Sequence, residues 1–176
     1  MLLPVFFFLA TPNKADAQIM EIGTNALGWA TLTPNIAIDF GFAQHWSAGV
    51  SADYNPFKYN DGKTSQMWMV QPELRWWPRH QFVGHAVGVH GTVGGYNWGM
   101  MKYRYKGMLY GCGVTYSYSW MFHKRWNLEG NIGVGYARLD HDNVYDRQDQ
   151  YTCYGPRTKD VFGVTKLGIK ISYILF

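Results

Sequence analysis

The stretch from Gly107 to Phe122 reads GMLYGCGVTYSYSWMF. Its even positions are Met108, Tyr110, Cys112, Val114, Tyr116, Tyr118, Trp120 and Phe122. Its odd positions are Gly107, Leu109, Gly111, Gly113, Thr115, Ser117, Ser119 and Met121. Side chains of a strand point alternately to its two faces, so this period of two gives one apolar, aromatic face and one small, mostly polar face.

The same alternation recurs along the chain. Trp126, Leu128, Ile132, Val134 and Tyr136 alternate with Asn127, Glu129, Asn131, Gly133 and Gly135. Asn35 to Ala43 sets Ile36, Ile38, Phe40 and Phe42 against Ala37, Asp39 and Gly41. Trp46 to Asn55, Gln66 to Trp77, Phe82 to Gly95 and Val161 to Leu175 follow, and Ile19 to Ala30 is the weakest instance. These segments predict eight strands. Their connectors alternate in length: Ala43–His45, Pro78–Gln81 and His123–Arg125 are tight, whereas Pro56–Thr64, Asn97–Lys106 and Asp140–Asp160 are long. Thr31–Pro34 is a short exception among the second set. An even strand count with short turns at one end and longer loops at the other is the pattern of outer-membrane barrels.

Composition narrows the alternatives. The chain has 176 residues, 47% hydrophobic, 18% aromatic and 16% charged. That length fits one domain. Two cysteines cannot form a disulfide framework. The longest apolar run, Leu2 to Ala10, is too short for a membrane-spanning helix, which needs roughly 20 residues. The net charge of +4 comes without a dense Lys/Arg block, so no nucleic-acid partner is expected. Leu2–Ala10 followed by Ala15-Asp16-Ala17 reads as a signal peptide over residues 1–17, leaving one barrel domain over 18–176.

The choice of inner face follows from size and charge. The polar face carries small residues and the isolated charges Glu21, Asp39, Asp53, Glu73, Arg75, Glu129, Lys166 and Lys170. Small residues suit the narrow lumen of eight strands, which large aromatics would overfill. A charge content of 16% is low for a water-facing exterior, where about 25% is usual. Trp46, Trp76, Trp120 and Trp126 fall at the short-turn end, and Tyr54, Trp68, Tyr110 and Tyr136 near the long-loop end. Two such girdles are how amphipathic rings sort at two membrane interfaces. The expected fold is therefore all-β: an eight-stranded antiparallel up-and-down transmembrane β-barrel of the outer-membrane type, placed in the bacterial outer membrane.

Several groups invite a chemical reading. Asp39, Asp53, Glu73, Arg75, Glu129, Lys166 and Lys170 form either an ion path or a paired network filling the lumen. The network is favoured, because eight strands leave little room for water and a buried charge must be paired. Six histidines are scattered over turns, both faces and the last loop without the spacing of a zinc site, so no metal or cofactor is expected. No His–Ser–acid set converges at the outer rim, so no catalytic residue is assigned and an enzyme is not expected. Cys112 falls on the outward face and Cys153 in the last loop, too far apart in depth for a disulfide. Lys102, Arg104 and Lys106 lie among Trp98, Tyr103 and Tyr105. They fit contact with lipopolysaccharide phosphates or an acidic partner as well as they fit an ordinary solvated loop.

An ordered set of short motifs carries a family likeness. Thr33-Pro34-Asn35, Tyr54-Asn55-Pro56, Gln71-Pro72-Glu73-Leu74-Arg75-Trp76-Trp77, Gly84-His85, Gly88-Val89-His90, Arg104-Tyr105-Lys106-Gly107, Tyr110-Gly111, Arg125-Trp126-Asn127-Leu128-Glu129 and Gly133-Val134-Gly135-Tyr136 occur in that order. The set resembles the Bacteroidetes family catalogued as domain of unknown function 3575, over nearly the whole mature chain. The resemblance implies a small outer-membrane barrel, of a kind often encoded beside surface or fimbrial genes, with no established activity. The chain departs from the family wording after Gly155-Pro156-Arg157, where a longer stretch precedes Thr165-Lys166. The expected role is structural or accessory, supporting a cell-surface assembly. The alternatives are a narrow pore and a lipid-modifying enzyme. The expected partners are outer-membrane lipid, lipopolysaccharide and a protein of a surface complex.

Overall fold

A computed structural model describes residues 19–57, 64–99, 103–146, 153–154 and 157–175. The expected leader over residues 1–17 lies outside the described residues. The strands are β1 (Ile19–Asn25), β2 (Asn35–Ala43), β3 (Trp46–Asn55), β4 (Thr64–Trp76), β5 (Gly84–Gly99), β6 (Tyr103–His123), β7 (Trp126–Asp146), the two-residue β8 (Cys153–Tyr154) and β9 (Arg157–Ile174). One short helix, α1 (Ala26–Ala30), follows β1. Each long strand pairs antiparallel with its sequence neighbour, and β9 pairs with both β7 and β1. Eight strands thus close an up-and-down ring, and β8 adds two residues to the outer end of β7.

The register fixes the tilt. From Glu73, one path of paired residues runs through His90, Gly113 and Gly135 to Gly163, and the other through Gly49, Asp39 and Glu21 to Ile174. The two paths meet β9 eleven residues apart (174 − 163 = 11), and one of those is the extra residue at the bulge opposite Gly133/Val134. A stagger of about ten residues over eight strands corresponds to strands tilted by about 40°.

Burial is inverted relative to a water-soluble barrel. Among the described residues the buried hydrophobic side chains are Trp77, Phe82 and Ala86. Glu21, Asp39, Glu73, Arg75, Glu129 and Lys170 are buried in the ring. Outside, Ile36, Phe40, Val50, Leu74, Val87, Val89, Val114, Ile132, Val134, Leu167 and Ile169 are exposed. Trp46 stands opposite Trp76 at the short-turn end, and the Trp126 and Tyr173 rings meet edge-on at 5.3 Å.

Several boundaries differ from the sequence reading. The first strand ends at Asn25 instead of Ala30. The Asn25 side chain accepts from the Leu27 N–H at 3.1 Å and caps α1, and Ala26 and Leu27 are good helix formers. Phe82 is not the first residue of a strand; it sits in the turn at φ 60°, and β5 starts at Gly84. The long outer loops are shorter than expected, because pairing continues through Trp98↔Tyr105 and Tyr103↔Asp146. β6 and β7 each reach 21 residues, so Lys106 lies on a strand.

Candidate functional site in the lumen

The period of two sends Asp39 from β2, Glu73 and Arg75 from β4, Glu129 from β7, and Lys166 and Lys170 from β9 to one interior. Arg75 is the hub. Its Nη1 donates to both Glu129 carboxylate oxygens at 2.9 and 2.8 Å, and its Nη2 pairs with Asp39 Oδ1. The Glu73 carboxylate lies 3.7 Å from Arg75 Nε and accepts from Lys166 Nζ at 2.7 Å. Lys170 Nζ is 2.7 Å from both Glu21 Oε1 and Asp39 Oδ2, and 3.4 Å from Glu129 Oε2. Ser119 Oγ donates to Glu129 at 3.0 Å. Arg75 and Lys170 each hold acids of several strands, and Lys166 joins β9 to β4, which cross-links the ring from inside. Burying such ions costs several kcal/mol each, so the pairing offsets desolvation more than it adds stability.

Of the seven lumen residues singled out in the sequence, six join this network and Asp53 does not. Asp53 is half-buried, its side chain makes no direct hydrogen bond or ion pair among the described residues, and the charge acting on it is Lys166. It lines a cavity of about 440 Å³ in the long-loop half of the barrel, together with Met67, Met69, Gln71, Glu73 and Lys166. The expected filling of the lumen is therefore met only in part: the charged network and the short-turn end are packed, and the other half is hollow.

Below the network an apolar seal closes the short-turn end. The Trp77 and Phe82 rings pack at 5.6 Å, and the Arg75 guanidinium lies 5.6 Å over the Trp77 ring. Trp77 Nε1 donates to Ser47 Oγ at 2.9 Å, and Asn127 Nδ2 donates to the Phe82 carbonyl at 3.0 Å. Phe82 is held in the left-handed region, which for a bulky non-glycine residue costs roughly 1–3 kcal/mol. The surrounding contacts impose it and aim the ring into the lumen.

Sequence reasoning assigned no role to Trp77, although a signal existed. Two consecutive tryptophans on one strand must face opposite sides, so with Trp76 outside, Trp77 falls inside with Arg75 and Glu73.

The histidines stay apart. His90 points inward and bonds Thr115 Oγ1 at 2.7 Å and Thr165 Oγ1 at 2.8 Å. Its ring lies against Gly113 and Gly133, where an added Cβ would come within 2.8 Å of it. His85 is exposed and bonds Tyr116 Oη at 2.6 Å. His45 bonds the Trp77 carbonyl at 2.9 Å. No metal-holding cluster occurs among the described residues. Lys102 lies outside the described residues, as do the side chains of Arg104, His141 and Cys153; Lys106 is exposed and Cys112 is free and exposed.

The family model described as "Protein of unknown function (DUF3575)" matches residues 3–175. The chain belongs to the DUF3575 family. No curated protein and no solved structure matches it. The motifs that carry the DUF3575 likeness now have positions in the barrel. The Gln71–Trp77 motif supplies the network hub and the seal, Gly88-Val89-His90 the inward histidine, and Arg125–Glu129 both Asn127 and Glu129.

Proposed function

We propose that this DUF3575 chain is a bacterial outer-membrane barrel with a structural or accessory role, an anchored body that supports a surface assembly. The observation that carries the membrane reading is the inverted burial. Side chains such as Val89, Val114, Leu167 and Ile132 are between 46% and 60% exposed on the outside, while the ionised groups are enclosed. Water would favour the opposite arrangement, and a closed ring leaves no backbone edge to lipid where both neighbours are paired. The sealed short-turn end favours support over conduction. The strand lengths favour a projecting partner surface. A transmembrane strand needs about 9–11 residues, so β6 and β7 rise about ten residues beyond the band.

Cell fractionation and gel mobility test the membrane reading. The protein should partition with outer membranes and migrate faster unboiled than boiled. Recovery in the soluble fraction with heat-independent mobility would overturn it. The accessory role is tested by the size of detergent-extracted complexes on a gradient. Shortening the β5–β6 hairpin by removing residues 98–105 should return the barrel to its own size while heat-modifiable mobility remains.

A further inference from the structure

We propose that the lumen cavity binds a primary ammonium group carried on an apolar chain, with Asp53 as its counter-ion. Charge sets the sign of the ligand. The interior holds five acids (Glu21, Asp39, Asp53, Glu73 and Glu129) against three bases (Arg75, Lys166 and Lys170). All three bases are engaged in ion pairs: Arg75 with Asp39 and Glu129, Lys166 with Glu73, and Lys170 with Glu21 and Asp39. Asp53 makes no direct ion pair among the described residues; the charge it feels is Lys166, which Glu73 already holds at 2.7 Å, and it faces the cavity of about 440 Å³. An anion entering there would meet an excess of negative charge with every base already committed. A cation would complete the pairing.

The wall of the cavity sets the apolar part. Met67 and Met69, flexible and polarisable, line it beside Asp53, and Leu27 and Leu167 line its edge. The cavity borders β9 at Leu167, beside the end of the β1–β9 ladder. The β1–β9 ladder stops at Asn25↔Lys170, whereas β9 runs on to Arg157. α1 packs on β9 where a longer β1 would stand. The Asn25 side chain ends the ladder by accepting from the Ile169 N–H at 3.1 Å and donating to the Leu167 carbonyl at 3.4 Å. An alkyl chain lying against Leu27, Met67 and Met69 leaves its ammonium head near Asp53.

The same chemistry has two sources, a membrane-resident long-chain amine such as sphinganine and a soluble short-chain alkylamine. The lipid source rests on the membrane reading above; the soluble source does not. The experiment titrates the folded, full-length barrel in non-ionic detergent with hexylamine, hexanol and hexanoate by calorimetry. Hexylamine should bind at one saturable site, and Asp53→Asn should weaken it by about tenfold or more, the usual scale for losing a charge-assisted hydrogen bond. Met69→Trp, which fills the cavity, should abolish binding without removing the carboxylate. Both variants should keep heat-modifiable mobility, which separates loss of the site from loss of the fold. Native mass spectra from mixed micelles of sphinganine and phosphatidylglycerol then assign the source. A selective sphinganine adduct that Asp53→Asn removes identifies the lipid, and its absence beside intact hexylamine binding identifies the soluble amine. Equal uptake of hexylamine, hexanol and hexanoate, no saturable uptake, or unchanged hexylamine binding in Asp53→Asn would overturn the proposal.

Discussion

Arg75 of β4 and Glu129 of β7 meet across the lumen, one guanidinium nitrogen within 2.9 Å of both carboxylate oxygens. The contact joins strands that are not neighbours in the ring, and it sits directly above the Trp77 ring. It therefore ties the charged network to the seal.

Removing this hub has a calculable consequence. Arg75→Ala leaves Glu129 and Asp39 buried with Lys170 alone, and breaking a buried pair in this way costs about 3–5 kcal/mol. Arg75→Lys should recover only part of that, because a single ammonium cannot present two nitrogens to two acids. Denaturant unfolding of the refolded barrel in detergent checks both values. An Arg75→Ala midpoint equal to wild type would show that the interior is wet.

The two faces should respond differently to substitution. Val114 and Ile132 are exposed in the apolar band, and an Arg at either costs about 2–4 kcal/mol on a lipid-facing midplane. Ser117 Oγ and Asn131 Oδ1 are buried without a hydrogen-bond partner among the described residues. Replacing either residue with Ala removes no hydrogen bond from that oxygen and should cost under about 1 kcal/mol. Assembly yield in membranes and unfolding midpoints read out both sets.

The seal predicts electrical silence. Wild-type protein in planar bilayers should show no steady conductance. Trp77→Ala with Phe82→Ala removes both rings at the short-turn end, at a stability cost of roughly 3–5 kcal/mol per fully buried ring. If the double variant still folds by gel mobility, it should conduct in brief openings. A steady wild-type channel whose selectivity shifts in Glu73→Gln would favour the pore reading.

Gly113 and Gly133 give a local test of the inward histidine. A side chain at either position meets the His90 ring. Gly113→Val also meets the Val134 carbonyl, which cannot yield without moving β7. Gly113→Val should therefore lower the unfolding free energy by about 1–3 kcal/mol, read from the denaturant midpoint, and His90→Ala in the same chain should recover only part of that loss.

Alternation made the ring legible from sequence, because each strand has only two faces and the charges fell on one of them. Asn35–Ala43 and Trp46–Asn55 have the same bounds in both readings, since tight turns and sharp polarity mark their ends. α1 was not legible, because Ala26 and Ala30 fit a weak alternation as readily as a short helix and the Asn25 cap is a single side chain. The outer ends of β5 to β7 were missed because Trp98, Tyr103 and Tyr105 sit among Asn, Gly and Lys residues that also suit loops. Asp53 was grouped with the other lumen charges, since a strand pattern gives the face but not the depth at which partners meet.

On the proposed membrane reading large apolar side chains face lipid while the interior is sealed from it, and Trp76 and Trp77 are adjacent reporters of the two faces. Trp76 is 43% exposed and Trp77 is fully buried. The direct measurement is fluorescence quenching by bromine-labelled lipids, in vesicles, of variants that keep only one of these tryptophans. Bromines near the interface should quench Trp76 strongly, and bromines at any depth should quench Trp77 little. Equal quenching of both, or none of either, would contradict the membrane reading.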